Sequence, residues 1–361
     1  MEKVIERYKE IVIQIATPYN TGTGFFVDEL DLIVTSEHVV RDNKTVVVDG
    51  LGFTRQLVKV LFTDAQYDLA FLAAPLNAKI PKSELHKSPD FKVGDAVLAV
   101  GEPFGLQYLT SQGQITNTDY KIDDLVFFEH EATMHPINSG GPVLNNKGEV
   151  LGVNTFILRN DKNVGFALPI KYLMTTFEAF KKGDGKTGCK CLSCNTIVFD
   201  DNPLQNICPN CNKKIDLPVL ANEFVPVGIA QTVEGLLEEN GFEVALARRG
   251  PNNWEIQQGS AIINISYYEK SGLIIGDAYL CTLPTQNIQP LYEYLLRQNH
   301  KIEGLTFSLK GSDVVLSLMI YDQYLNDETG HSLLKRLFES ADDYDNILVE
   351  QFGAEWKVRN S

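Results

Sequence analysis

The 361-residue sequence predicts several domains: an all-β domain, then a small metal-binding module, then an α+β domain. Three observations support this. Many short apolar runs bounded by Gly, Asp, Asn or Pro fill the first half of the chain. Two Cys-x-x-Cys pairs follow in a short polar stretch. Beyond them, strand-like runs alternate with segments of helical spacing. We assign the three domains to residues 1–182, 183–220 (a linker followed by the metal module) and 221–361. The small, polar, Gly-rich stretch KKGDGKTGCK, residues 181–190, is interpreted as a linker.

The first 180 residues read as a short helix followed by about a dozen strands. Runs such as IVIQIAT, TGFFVD, LAFLAA and PVLN are short and have no long helix between them. Strands at this spacing are typical of antiparallel barrels or a sandwich. The stretch KYLMTTFEAFKKG has apolar residues at helical spacing and ends in Gly183, which predicts a closing helix.

Composition and charge exclude several classes of partner. Hydrophobic content of 44% and charged content of 22% are ordinary for a soluble globular protein. A net charge of −15 disfavours non-specific binding to nucleic acid or to an anionic membrane. Neither a signal peptide nor a run of about 18 apolar residues is evident. Because the cysteine pattern suits a reducing compartment, we expect a cytoplasmic protein.

The string HPINSGGPVLN places Ser139 on a Gly-rich turn before an apolar strand. TSEHVV supplies His38 at the end of one apolar run, and YDLAFLA supplies Asp68 at the start of another. A serine needs a base beside it and a group that orients the base, and the order His, Asp, Ser is that of chymotrypsin-type triads. Asp64 competes with Asp68, but only Asp68 directly precedes its apolar run. These residues predict a serine endopeptidase that acts through an acyl-enzyme.

Five blocks extend this pattern in order along the chain. They read TGTGFFVDELDLIVTSEHVV, DAQYDLAFLA, VGDAVLAVGEPFGLQYLTSQGQIT, NSGGPVLNNKGEVLGVNTF and VGFALPI. Over about residues 4–175 the chain resembles HtrA/Deg-type trypsin-like serine proteases. The resemblance implies two six-stranded β-barrels, with His38, Asp68 and Ser139 in the cleft between them. It also implies protein or peptide substrates, cleaved in unfolded or exposed segments.

The oxyanion hole is where the chain departs from this family. Backbone N–H groups of Ser139 and Ile137 would hold the oxyanion, but the family usually has glycine at the position of Ile137. A β-branched residue resists positive φ, and loss of one donor would cost about 3 kcal/mol of transition-state stabilisation. The alternative hypothesis is therefore a protease-fold scaffold that binds peptides with little or conditional cleavage. Thr133, six residues before Ser139, is not acidic, which favours a small or medium apolar residue before the scissile bond.

The cysteine module reads CLSC, 13 residues, then CPNC, and presents Cys191, Cys194, Cys208 and Cys211. Two such turns resemble a zinc ribbon, in which four thiolates close a tetrahedron around Zn²⁺. Four cysteines leave no open coordination position, so the predicted zinc is structural. A redox Cys-x-x-Cys is the competing interpretation. Cys189 is a competing ligand for the position of Cys191, although the symmetric spacing favours Cys191.

Residues 221–361 predict the order helix, three strands, helix, two strands, helix. We expect the last part to form two helices, at 327–340 and 343–351. Over about residues 222–355 this order resembles the fold of type III secretion chaperones. The resemblance implies a domain that recruits a protein partner or substrate, or that forms a homodimer. The alternative is that the leucines of this region simply form a core.

Overall fold

The computed structural model describes residues 2–88, 90–101, 109–122, 124–133, 138–159 and 162–356. The chain divides into two compact units, Met1–Glu223 and Phe224–Ser361. Among the helices that these residues form, none has the length and apolar character needed to cross a membrane.

The first unit contains two closed antiparallel barrels. The first barrel consists of β1 (Val12–Ala16), β2 (Thr21–Val27), β3 (Leu32–Thr35), β4 (Thr45–Gly50), β5 (Phe53–Asp64) and β6 (Leu69–Ala73). Its order is β5-β4-β1-β2-β3-β6, and a pairing of β5 with β6 closes it. Helix α1 (Glu2–Ile11) precedes this barrel, and the one-turn helix α2 (Glu37–Val40) follows β3.

The second barrel also has six strands. After the two-residue strand β7 (Glu84–Leu85) come β8 (Ala96–Gly101), β9 (Leu109–Ile122), β10 (Leu125–His130), β11 (Pro142–Asn145), β12 (Glu149–Arg159) and β13 (Lys162–Pro169). The order β11-β8-β9-β10-β13-β12 closes through β11 and β12, while β7 joins the outer edge of β12. The predicted double-barrel architecture is confirmed.

Two layers of core explain why the barrel strands are apolar at successive positions. Ile13 and Ile15 of β1 belong to the cluster inside the first barrel. Val12, which directly precedes Ile13, belongs to a second cluster that also includes residues of the other barrel and of helix α3 (Ile170–Phe180). Since neighbouring strand residues point to opposite faces, a strand covered on both faces is apolar throughout. Phe180 of α3 packs there, 5.3 Å from the ring of Phe62.

The cysteine segment, residues 183–220, adds two strands to the sheet of the first barrel, β14 (Gly188–Lys190) and β15 (Ile197–Phe199). Strand β14 pairs in parallel with β5 at Phe62 and Thr63, beyond Lys59 where the pairing of β4 with β5 begins. The stretch 181–190, which we interpreted as a linker, therefore includes a short 3-10 helix and a sheet strand. Gly183 allows the Phe199 ring of β15 to pack against this stretch, because a Cβ at position 183 would collide with that ring.

The second unit has a sheet with helices packed on its apolar side chains. Its strands are β16 (Asn253–Gln258), β17 (Ala261–Tyr268), β18 (Leu273–Thr282), β19 (Leu305–Lys310), β20 (Asp313–Tyr321) and β21 (Glu355–Trp356). Its helices are α4 (Ile229–Glu239), α5 (Val244–Ala247), α6 (Gln289–Asn299) and α7 (Asp327–Phe352). The sheet is antiparallel in the order β16-β17-β18-β20-β19, with β21 beside β18.

Helix α7 corrects one expectation from the sequence. We predicted two helices, but a single helix of 26 residues occupies this stretch. Asn326 begins it with a capping box to Thr329, and Gly353 ends it at a φ of +71°. Neither glycine nor proline lies between Gly330 and Gly353, so nothing in that interval interrupts the helical hydrogen bonds.

Candidate active site

Two neighbouring strand ends bring His38 and Asp68 together. His38 lies in α2, just after β3, and Asp68 lies just before β6; these two strands pair at Thr35 and Ala70. The His38 Nδ1 atom is 2.8 Å from Asp68 Oδ2 and 2.9 Å from Oδ1. The backbone N–H of His38 also donates to Oδ1, at 3.0 Å. The carboxylate thus fixes both the ring and the backbone of the candidate base.

The environment of His38 makes its imidazole more basic. Burial lowers its pKa, but the hydrogen bond from Nδ1 to Asp68 and the negative charge of Asp68 outweigh burial, so the pKa is raised above its ordinary value. The imidazole side chain remains 35% exposed, which leaves it accessible from solvent. A positioned, accessible imidazole with an acidic partner is suited to general-base chemistry.

Thr155 is a third contact of this pair that sequence reasoning missed. Its hydroxyl Oγ1 donates to Asp68 Oδ2 at 3.4 Å. Thr155 belongs to β12 of the second barrel, whereas Asp68 belongs to the first. In the sequence, Thr155 lies at the end of the block NSGGPVLNNKGEVLGVNTF. Because threonine is common in strands, its presence there does not indicate a contact with Asp68.

Backbone hydrogen bonds from both barrels fix the turn that carries Ser139. The Ser139 carbonyl accepts from Thr23 N of β2 at 3.0 Å. Gly140 N donates to the Asn154 carbonyl of β12 at 2.9 Å, and Asn154 N donates back to the Gly141 carbonyl at 2.8 Å. Gly140 has a φ of +86°, a conformation that favours glycine.

The Ser139 turn lies against the helix that carries His38. A Cβ on Gly22 would meet both Val39 Cγ2 of α2, at 2.5 Å, and the Ser139 carbonyl oxygen, at 3.2 Å. The Ser139 side chain is buried, and its Oγ has no hydrogen-bond partner among the described residues. The structure therefore joins His38 to Asp68 and sets Ser139 on the adjoining turn without a hydrogen bond to the imidazole.

The sequence also pointed to Ile137, Thr133 and Asp64. Ile137, the second predicted oxyanion donor, lies outside the described residues. Thr133 lies on an exposed stretch, where its N–H donates to Ser111 Oγ at 2.6 Å. Asp64, the competitor of Asp68, is fully buried and pairs with Lys190 at 3.1 Å. The carboxylate that contacts His38 is that of Asp68.

The four predicted metal ligands converge on one point. The Sγ atoms of Cys191, Cys194, Cys208 and Cys211 all lie within 4.8 Å of one another. The pairs Cys191–Cys211 and Cys194–Cys208 are each separated by 3.6 Å. Cys189 is not in this group; it is buried in β14.

Two matching backbone turns present these thiols. Asn195 N donates to the Cys191 carbonyl at 2.8 Å, and Asn212 N donates to the Cys208 carbonyl at 2.9 Å. Both asparagines have a φ near +60°, which asparagine tolerates better than most residues. A tetrahedral Zn²⁺ with Zn–S bonds of about 2.3 Å would hold its sulfurs about 3.8 Å apart. The donor set and its spacing fit such an ion.

Comparisons with known proteins match the part of the chain that holds His38, Asp68 and Ser139. Residues 22–153 match the family model of the trypsin-like peptidase domain. Serine protease HTRA4 of Homo sapiens is 35% identical over 159 residues, covering 42% of this chain and 33% of that protein. Putative serine protease HhoA of Synechocystis is 37% identical over 163 residues, covering 41% and 40%.

A solved structure, the serine endoprotease from Yersinia pestis, aligns with a TM-score of 0.45 and 25% identity, covering 52% of this chain and 71% of that one. The chain spans well under half the length of the curated relatives it matches. The stretch 22–153 thus matches the trypsin-like peptidase domain and is similar in sequence to HtrA-type serine proteases.

Proposed function

We propose that this protein is a serine endopeptidase that cleaves protein substrates with the triad His38, Asp68 and Ser139. The observation that carries the proposal is the bond of 2.8 Å between His38 Nδ1 and Asp68, next to the turn of Ser139. Similarity to serine proteases over the same residues supports it.

In this proposal the neutral His38 accepts the Ser139 hydroxyl proton at Nε2 while Oγ bonds to the scissile carbonyl carbon. Asp68 holds the Nδ1–H tautomer and stabilises the imidazolium that forms. His38 then returns the proton to the leaving amine as the C–N bond breaks, which leaves an acyl-enzyme on Ser139. Water attacks the ester, His38 takes its proton, and Ser139 regains that proton as the acid product departs.

The backbone N–H groups of Ser139 and Ile137 would stabilise the oxyanion in both tetrahedral steps. Gly140 N is already committed to the Asn154 carbonyl. A second candidate function, peptide binding with conditional cleavage, is favoured by the Ser139 Oγ atom, which has no hydrogen-bond partner in the described part of the chain. Ile137→Gly separates the two: a large rise in turnover supports conditional cleavage, and unchanged robust turnover excludes it.

We further propose that the four clustered cysteines bind one structural Zn²⁺. Four thiolates complete a tetrahedron, so no position remains for water or substrate. A reducing compartment such as the cytoplasm would keep these thiols available for the metal.

For the second unit we propose recruitment of a protein partner or substrate, or homodimerisation. Tyr268 of β17 and Met319 and Tyr321 of β20 are each at least half exposed, and exposed apolar side chains on one sheet favour an interaction surface. Replacing Met319 and Tyr321 with Asp should change the oligomeric state or the set of captured partners. An unchanged sedimentation profile and unchanged capture by the full-length chain would contradict this role.

The central test is labelling by a fluorophosphonate probe, which reacts with an activated serine. The probe should form one adduct, at Ser139, found by peptide mass spectrometry. Ser139→Ala should remove both the adduct and the hydrolysis of an unfolded protein substrate, and Ser271→Ala, a change in an exposed turn, should alter neither. Hydrolysis that persists in a folded Ser139→Ala protein would contradict the proposal.

A further inference from the structure

Besides the pairing of β14 with β5, the cysteine segment contacts the first barrel through the side chain of Lys190. Strand β14 ends at Lys190, directly before the metal-ligand candidate Cys191. The Lys190 ammonium lies 3.1 Å from Asp64 Oδ2 and 3.5 Å from the centroid of the Tyr67 ring. The side chain of Lys190 is 11% exposed and that of Asp64 is fully buried. An ion pair that is almost completely buried therefore joins the cysteine segment to the first barrel.

Asp64 uses its two oxygens for different purposes. Oδ2 faces Lys190, while Oδ1 accepts the backbone N–H groups of Gln66 and Tyr67, both at 3.1 Å. The carboxylate thus shapes the turn that follows β5. A carboxylate without a counter-ion is costly to bury, so it either becomes neutral or moves towards water. Lys190 supplies that counter-ion.

The turn that Asp64 shapes leads directly to Asp68, the partner of His38. Asp68 has a φ of +50°, a conformation that a non-glycine residue adopts only when its surroundings hold it. The two carboxylates are four positions apart in sequence, and the residues between them include Gln66 and Tyr67, whose backbone N–H groups Asp64 binds. A shift of the Asp64 side chain would therefore move the backbone that aims Asp68.

We propose that Lys190 is a positioning residue for the triad: it holds Asp64, and through Asp64 the turn that presents Asp68 to His38. The cysteine segment then contributes to the geometry of the active site, because the fold around Cys191 fixes the position of the Lys190 ammonium. This inference rests on the proposed serine endopeptidase function.

The test compares three variants of the full-length chain. Lys190→Met removes the charge at similar length, and Lys190→Arg keeps a cation. Lys186→Met is the matched control, since Lys186 also forms an ion pair, with Asp201 at 2.7 Å, but at an exposed site of the same segment. The readouts are the pKa of the His38 imidazole by NMR, the rate of fluorophosphonate labelling, and the zinc content per chain.

Lys190→Met should lower the pKa of His38 and slow labelling on the order of 10- to 100-fold, with zinc content unchanged. Lys190→Arg should keep the His38 pKa and the labelling rate close to those of the unchanged protein, and Lys186→Met should alter neither quantity. An unchanged His38 titration and labelling rate in zinc-loaded Lys190→Met would overturn the inference. If no variant is labelled, the endopeptidase proposal fails, whereas the NMR titration still reports whether Lys190 positions Asp68.

Should Lys190→Met fail to fold, the double variant Asp64→Asn/Lys190→Met tests the same relationship. Asn keeps an oxygen for the two turn amides and removes the buried charge. If Lys190 acts through Asp64, the Lys190→Met change should have little further effect on the His38 titration in the Asp64→Asn background. A clear shift of the His38 titration in the double variant, relative to Asp64→Asn alone, would overturn the inference.

Discussion

Asp68 accepts two hydrogen bonds from a single residue, His38: one from the imidazole Nδ1 at 2.8 Å and one from the backbone N–H at 3.0 Å. Asp68→Asn replaces one carboxylate oxygen with a donor, which disfavours the tautomer that leaves Nε2 free to accept a proton. We expect kcat to fall by about 10⁴-fold, with substrate binding nearly unchanged. Steady-state kinetics on a peptide substrate measure this, and a loss below about tenfold would contradict the role of Asp68.

Activity should depend on pH through His38. Because its pKa is raised by Asp68, kcat/KM should increase with pH along a limb whose midpoint lies above the ordinary histidine value of about 6.5. The pair also stabilises the fold below the unfolded-state pKa, and this contribution is lost as pH rises through the folded-state pKa. NMR titration of His38 should give the same midpoint as the kinetic limb. A midpoint below 6.5 would contradict the assignment.

Gly140 and Gly148 form a matched pair that isolates the crowding around the nucleophile turn. Their φ angles are +86° and +85°, so alanine costs about 1–2 kcal/mol of backbone strain at either site. A Cβ at Gly140 would also collide with the Thr23 carbonyl and the Thr35 hydroxyl, whereas at Gly148 the nearest atom is Val4 Cγ1, at 3.3 Å. Gly140→Ala should lower the free energy of unfolding more than Gly148→Ala and abolish labelling of Ser139.

Urea unfolding of both alanine variants measures the difference. Equal losses of stability, with labelling retained in Gly140→Ala, would show that the turn is not tightly enclosed.

The cysteine cluster should bind one zinc ion per chain. Cys208→Ser should abolish zinc binding and lower the free energy of unfolding by about 2 kcal/mol or more. Cys189→Ala, at a buried thiol outside the cluster, should keep the ion. Atomic absorption and thermal unfolding, with and without a chelator, measure both effects. Zinc lost in Cys189→Ala and retained in Cys208→Ser would contradict the assignment.

The barrels could be predicted because their strands follow a local rule. Short apolar runs bounded by turn residues marked all six strands of each barrel, but not the two-residue strand β7 at the edge of the second barrel. The pairing of His38 with Asp68 was also predictable, since each residue adjoins a recognisable strand end. Both predictions rest on patterns within a few residues.

Relationships between distant segments were not predictable. Lys190 meets Asp64 across 126 positions, and Thr155 meets Asp68 across 87. The residues around Lys190 and Thr155 in the sequence do not indicate which carboxylate either side chain meets. The stretch 181–190 was misread for the same reason: its glycines suggested flexibility, but Gly183 is there to admit the Phe199 ring. The prediction interrupted helix α7 at Ala341 and Asp342, although neither residue ends a helix by itself.

The parallel pairing of β14 with β5 at residues 62–63 has a thermodynamic consequence. Truncation after residue 182 would strip hydrogen bonds from that edge of β5 and leave Asp64 without its cation. Residues 2–223 should therefore unfold in one cooperative transition, and amide exchange at Phe62 and Thr63 should accelerate as soon as the cysteine segment is destabilised. The two barrels and the thiol cluster would then unfold together. Removal of a bound ion would therefore lower the free energy of unfolding of the whole unit.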